Sequence, residues 1–388
     1  MADDRTLEAE FDFHGEALDH IFSTYARLHV TCPVGRGERY GGFWYLTKNE
    51  DIFAAEQDPG TFSVAPSMLL PDFGTDFPLI PLDIDPPDHS RYRRILLPLF
   101  TPRAVAELEP GMRDTARQLL AQVRKQHVAD VTALYARPMP TIVFSRLAGF
   151  PEKDWPKFDA WVDDIIYERT TDPARARAAA REVVDYFDHL LQARRGTADS
   201  SDLIGRLRAA RIDGEPLTHD ELISYCYLLF VAGLDTTAWA IRSSLWYLAR
   251  NPGVQERLRR EPDLIPAAAE EFLRTLSPVQ AMARTCRADT EIGGHQIKAG
   301  DRVLLVFGAG NRDPESFDSP GEIQIDRQAN RHLAFGAGIH RCLGSTLGRR
   351  ELVVALEEFL AAMPGFSHAQ PEEKWHGIGR LTLQTAGE

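Results

Sequence analysis

Thr218-His219-Asp220-Glu221 opens the stretch that most restricts what this chain can become. A threonine followed three residues on by glutamate, just ahead of an apolar run, is a capping box. Hydroxyl and carboxylate satisfy the orphan N–H groups of a helix start. No strong break follows until Asn251-Pro252-Gly253, so the pattern predicts one helix from Thr218 to about Arg250. At about 1.5 Å per residue it is roughly 45–50 Å long. A helix that long and that apolar has to cross the centre of the protein and be covered by others. Its longest apolar run, residues 228–240, is broken by Asp235 and is too short to span a bilayer. The chain has 388 residues, 44% of them hydrophobic, enough for a large buried core.

Around this helix the pattern predicts a mainly α fold with small β-sheets. Residues 88–276 read as mostly helical, with breaks near Pro138, Pro151, Gly196 and Gly214. Before them come a strand-like run at 42–47 and a Pro- and Gly-punctuated loop at 63–87. After Ser277-Pro278 the reading turns to short strands at 291–294 and 302–306. Leu352, Leu356, Phe359, Leu360 and Met363 then mark one face of an amphipathic helix, stopped by Pro364-Gly365. A short β-like tail includes residues 380–383. No repeat or low-complexity segment is present, and one catalytic domain over 1–388 is expected.

Just ahead of that last helix stands Phe335-Gly336-Ala337-Gly338-Ile339-His340-Arg341-Cys342-Leu343-Gly344. Backbone N–H groups of a Gly-rich turn and a helix N-terminus both lower a thiol pKa. Cys342 is therefore a candidate nucleophile or metal ligand. A hydrolase built on Cys342 and His340 fails on geometry, because they are two residues apart on a tight loop with no third orienting group.

Inside the long helix, Ala232-Gly233-Leu234-Asp235-Thr236-Thr237 combines residues of poor helix propensity with a carboxylate in an apolar stretch. Threonine there can bond back to a carbonyl one turn earlier and bend the helix. Glu271 and Arg274 form an i,i+3 pair, as do Glu256 with Arg259, which reads as a solvated face.

From Asp85-Pro86-Pro87 to the tail, these motifs resemble the cytochrome P-450 family, whose haem-binding loop carries Phe, Gly, Gly, His, Cys and Gly at the offsets seen here. The resemblance implies the P-450 fold, with haem b (iron protoporphyrin IX) between a long central distal helix and the proximal cysteine-loop helix. It makes Cys342 the axial iron ligand within a loop that includes Phe335 and Gly344. The thiolate then favours cleavage of the O–O bond. Asp235 and Thr236 correspond to the proton-relay pair, with Ala232 and Gly233 flanking the oxygen groove. His89, Arg93, Arg284 and His340 correspond to propionate ligands. Glu271 with Arg274, Asn311-Arg312-Asp313-Pro314 and Asp326-Arg327 correspond to structural elements.

The implied reaction is monooxygenation with O2. No flavin, iron–sulfur motif or fused reductase is visible, so the expected electron source is ferredoxin with an NAD(P)H-dependent ferredoxin reductase. Arg91, Arg94, Arg341, Arg349 and Arg350 are candidates for its docking patch. A peroxide-driven haem-thiolate enzyme and a non-catalytic haem sensor are the alternatives; neither explains the Asp235-Thr236 pair. Net charge −13 argues against nucleic-acid binding. Four scattered cysteines fit a reducing compartment. The acidic, polar N-terminus is unlike a leader or membrane anchor, so a cytoplasmic protein is expected.

For the substrate, residues 63–87 supply Met68, Leu69, Leu70, Phe73, Phe77, Leu79 and Ile80 but no Lys or Arg. With Leu228, Val231, Gln280 and Met282 as further pocket residues, a neutral, mid-sized apolar molecule such as a terpenoid or polyketide-like scaffold is expected.

Overall fold

The computed structural model describes residues 11, 12, 14, 18–194, 202–369 and 380–385. The break expected near Gly196 lies outside them. The long helix spans His219–Arg250, with Thr218 as its cap and both bonds of the capping box in place. Helices Pro138–Ala148, Pro173–Ala193, Ile265–Leu276 and Ser345–Ala362 pack against it. Among the described residues it is the one helix long and apolar enough to cross a membrane, and most of it is buried in the protein core. Ser345–Ala362 is the helix expected after Cys342, and Pro102–Val123 covers its other side.

Val34–Gly37, Phe43–Leu46, Arg302–Leu305, Met282–Cys286 and Phe62–Ser63 form a five-stranded sheet in that order. Its single parallel pair joins Phe43–Leu46 to Arg302–Leu305; the others are antiparallel. Phe366–His368, Thr382–Thr385 and Val128–Asp130 make a second sheet, with the tail strand in its centre. Two hairpins complete the β structure. In the one at 290–297, Gly293 and Gly294 both have positive φ, as a two-residue turn requires.

The break near Pro138 is a turn at Arg137, between the π-helical turn Thr132–Ala136 and the helix that Pro138 begins, where its missing N–H costs nothing. One local expectation changes. Glu256 does not pair with Arg259: it lies 3.9 Å from Arg260. Arg259 instead donates to the Leu360 and Met363 carbonyls, capping the C-terminal end of Ser345–Ala362.

Candidate active site

The cysteine loop is shaped by what lies behind it. Gly338 has φ +61°, and a Cβ there would fall 2.0 Å from the Glu56 carbonyl oxygen. Only glycine permits both. The Cys342 N–H donates to the Phe335 carbonyl (2.8 Å), closing the loop, and the Arg349 guanidinium lies 4.3 Å over the Phe335 ring. Helix Ser345–Ala362 starts three residues later.

Cys342 is exposed, yet dense protein surrounds it. Burial pushes its thiol up, against the Gly344 N–H and the guanidiniums of Arg93, Arg341 and Arg349. The loop N–H and the guanidiniums favour the thiolate, as the Gly-rich turn predicts, while desolvation opposes it; iron bound there would favour it further.

Next to the loop, donors without acceptors collect. The rings of His89 and His340 lie 4.2 Å apart, and each has a buried Nε2 with no hydrogen-bond partner among the described residues. Burial pushes His340 down to about 3 and lowers His89 as well, so both are neutral. Arg93 donates to the Arg341 carbonyl (2.5 Å). Buried Arg284 pairs with Glu56 (2.9 Å), whose carboxyl burial pushes up to about 7. Two neutral imidazoles and two guanidiniums beside a thiol fit a buried, doubly anionic iron porphyrin.

Across from the loop, Ala232 is exposed in the middle of the otherwise buried helix, and Leu228 and Val231 precede it. Thr236 donates to the Ala232 carbonyl (3.0 Å), the back-bond its position predicts. A Cβ at Gly233 would lie 2.9 Å from the Phe144 ring, so close helix packing also requires glycine here. Tyr167 donates to Asp235, 2.8 Å from each carboxylate oxygen. Burial pushes Asp235 up despite Arg242, Tyr167 and Arg137. A cavity of about 10 Å³, room for one water, lies between Asp235, Arg137 and Asp159. Arg137 in turn pairs with Asp159 and with the more open Asp163.

Several pocket expectations shift. The Gln280 amide is spent on structure, accepting from Tyr25 and donating to the Leu276 and Ser277 carbonyls. Met282 packs on the smaller core cluster with Val34, Leu46 and Phe62. Phe77 stands edge-on to Tyr227 of the long helix at 6.0 Å. Asp83 and Asp85 turn to the loop's own backbone, accepting from Met68, Leu79 and Val64 N–H groups, so they give the pocket no acidic wall. Of the proposed docking arginines, Arg91 pairs with Asp88 and Asp213, Arg349 with Glu270 and Arg350 with Glu109. Arg94 and Arg341 remain without a carboxylate among the described residues.

Three residues at this site went unread in the sequence. Tyr167 lies on a short π-helical turn, Asp163–Tyr167, and meets Asp235 only through the fold. Arg169 follows it. Glu351, fully buried on the proximal helix, bonds to Thr237 of the central helix and keeps Oε1 unpartnered. Nothing in its surrounding apolar pattern marks it as other than a helix-face charge.

Known proteins share the sequence and the fold of this chain. The family profile described as cytochrome P450 matches residues 80–374. A probable cytochrome P450 of Sinorhizobium fredii is 39% identical over 84% of this chain and 78% of that protein. Mycinamicin IV hydroxylase/epoxidase of Micromonospora griseorubida is 35% identical over 93% and 92%. The solved structure of the polyketide synthase cytochrome P450 PksS of Bacillus subtilis superposes with a TM-score of 0.87, at 34% identity, covering 96% of this chain and 99% of that one. By sequence and by fold, then, the chain belongs to the cytochrome P450 family of haem b monooxygenases, which act on small molecules with O2.

Proposed function

We propose that this chain hydroxylates or epoxidises a small to mid-sized hydrophobic substrate in the cytoplasm, acting as a single catalytic unit supplied with electrons by a separate ferredoxin. The observation that carries it is the pairing of two unlike surfaces. On one, a thiol sits beside unpartnered imidazoles and guanidiniums; on the other, a buried acid and a hydroxyl share one helix turn. The four cysteines are free, in keeping with a reducing compartment. Arg94 and Arg341, near the cysteine loop, are the charges left for an acidic redox partner.

When bound, haem supplies activation of dioxygen and transfer of one oxygen atom. Cys342 would ligate its iron through sulfur. His89, His340, Arg93 and Arg284 would hold the two propionates, where the unpartnered Nε2 atoms would find acceptors. Asp235 holds a proton at its carboxyl, oriented by the Tyr167 hydroxyl, and refills it through the one-water cavity shared with Asp159. Thr236, on the next position, passes hydrogen bonds towards the Ala232 side of the helix. Leu228 and Val231 exclude water and shape the apolar wall.

Turnover with NADH, ferredoxin and its reductase tests the reading: isotope from labelled O2 is expected in the product. Product formed equally well from peroxide without ferredoxin would transfer the chain to the peroxide-driven class. No NADH consumption with ferredoxin and reductase under any substrate would favour a sensor.

A further inference from the structure

The neutral-substrate expectation rested on residues 63–87 having no cation, and the fold brings one to that loop from elsewhere. Arg169 lies in the connection between the Asp163–Tyr167 turn and helix Pro173–Ala193. Its guanidinium is 5.2 Å from the Phe73 ring centroid. Phe73 is itself tied down, since its carbonyl accepts from Tyr227 of the central helix (3.2 Å). Arg169 therefore bridges the connection and the apolar loop, two residues on from Tyr167, which orients Asp235.

What Arg169 lacks is an anion in contact, although Asp235 and Asp72 lie near enough to favour its charge. No carboxylate lies within 4.0 Å of it among the described residues. Nη1 donates to the Ile166 carbonyl (3.1 Å), Nη2 reaches His14 Nδ1 at 3.5 Å, and the buried Nε has no partner. Half-buried Arg302 and fully buried Arg274 are better satisfied: Arg302 gives its donors to Thr285 and the Ser67 and Leu69 carbonyls, and Arg274 to a carboxylate and three carbonyls.

His14 does not cancel the charge. Its Nε2 faces the Leu70 carbonyl (2.8 Å) and so carries the hydrogen, which leaves Nδ1 as the acceptor for Arg169. Burial and the neighbouring guanidinium push His14 down to about 4, so it is neutral at physiological pH. Arg169 is lowered only to about 10 and stays cationic. A buried, unpaired cation is costly, and a carboxylate with two oxygens for a planar fork removes that cost.

We propose that Arg169, oriented by neutral His14, binds the carboxylate end of an amphipathic substrate whose apolar body lies along Phe73 and the central helix. The proposal rests on the monooxygenase reading for the position of the substrate, but its test is a binding measurement that needs no turnover. Haem-loaded protein is titrated by calorimetry with straight-chain fatty acids from octanoate to hexadecanoate and with the matching primary alcohols. At least one acid is expected to bind about tenfold to a hundredfold more tightly than its alcohol. Arg169→Leu erases that preference and leaves the alcohol's affinity unchanged, whereas Arg169→Lys retains part of it. Arg169→Gln serves the same purpose should the leucine variant fail to fold. Acids no tighter than alcohols throughout the series, or a preference that survives loss of the guanidinium, would overturn the assignment. The carbon monoxide spectrum of the same sample reports separately on the haem-thiolate reading, so the two failures are distinguishable.

Discussion

Two buried polar clusters in this protein are built to opposite ends. In the first, Glu271 accepts from Arg274, Arg327, Asn330 and the Gln324 N–H. All the N–H donors of Arg274 are taken, by that carboxylate and by the Asn311, Pro320 and Glu322 carbonyls. Its shortfall is confined to the rim, at Arg327 Nη2 and Asn330 Oδ1. In the second, around the cysteine loop and the central helix, the inner groups themselves lack partners: His89 Nε2, His340 Nε2, Glu351 Oε1 and Arg169 Nε. A closed network specifies structure. An open one, which costs stability, is retained where a ligand, a water or a proton completes it.

Breaking the closed cluster should have the largest effect on folding. Arg274→Ala strands a buried carboxylate and is expected to cost about 3–5 kcal/mol in urea unfolding, with haem content falling in parallel. A loss under about 1 kcal/mol would mean that Glu271 is satisfied without it. The open cluster should respond in activity. Asp235→Asn is expected to lower product formation about 100-fold, with unfolding midpoints close to wild type. If stability falls and turnover does not, the assignment of the two clusters is reversed.

Glu351 sharpens the contrast through pH. Burial pushes its carboxyl up to about 8, above its unfolded value of about 4.3. Folding takes up a proton between those values, so its stabilising contribution is full in acid and lost as pH rises through about 8. The expected slope is about −1.4 kcal/mol per pH unit, and Glu351→Gln should remove it. An identical pH dependence in the variant would show that the carboxyl is already ionised when folded. The smallest effect is expected at Tyr167. Tyr167→Phe deletes a donor to the charged form of Asp235, which raises that carboxyl further. The alkaline limb of the rate profile should move to higher pH, with the rate down about tenfold or less. A profile that stays in place would remove Tyr167 from the proton route.

What could be read from the sequence was what local chemistry dictates. The capping box at Thr218 and the stop at Asn251-Pro252-Gly253 set a helix whose bounds the structure repeats, and the strand-like runs at 42–47 and 302–306 become neighbours in one sheet. The motif residues of the cysteine loop lie together with His89, Arg93 and Arg284, as their resemblance implies. Long-range meetings were not legible. Tyr167 reaches Asp235 across 68 positions, and Arg169 meets Phe73 through a connection whose π-helical turn has no sequence signature. The direction of a side chain was equally hidden: Gly233 faces Phe144, Met282 faces the smaller cluster, and Asp83 faces its own loop. Reading the loop's composition without the elements packed on it gave a loop with no cation, and the fold brings Arg169 to it.

Ligation of iron by Cys342 is the claim on which the rest depends, and the absorption spectrum of the reduced carbon monoxide adduct tests it most directly. The haem-loaded protein should show the strongly red-shifted Soret band of a thiolate-ligated iron, and Cys342→Ser should abolish that band. The same red-shifted band in the serine variant, or its absence from the wild-type protein, would contradict the account.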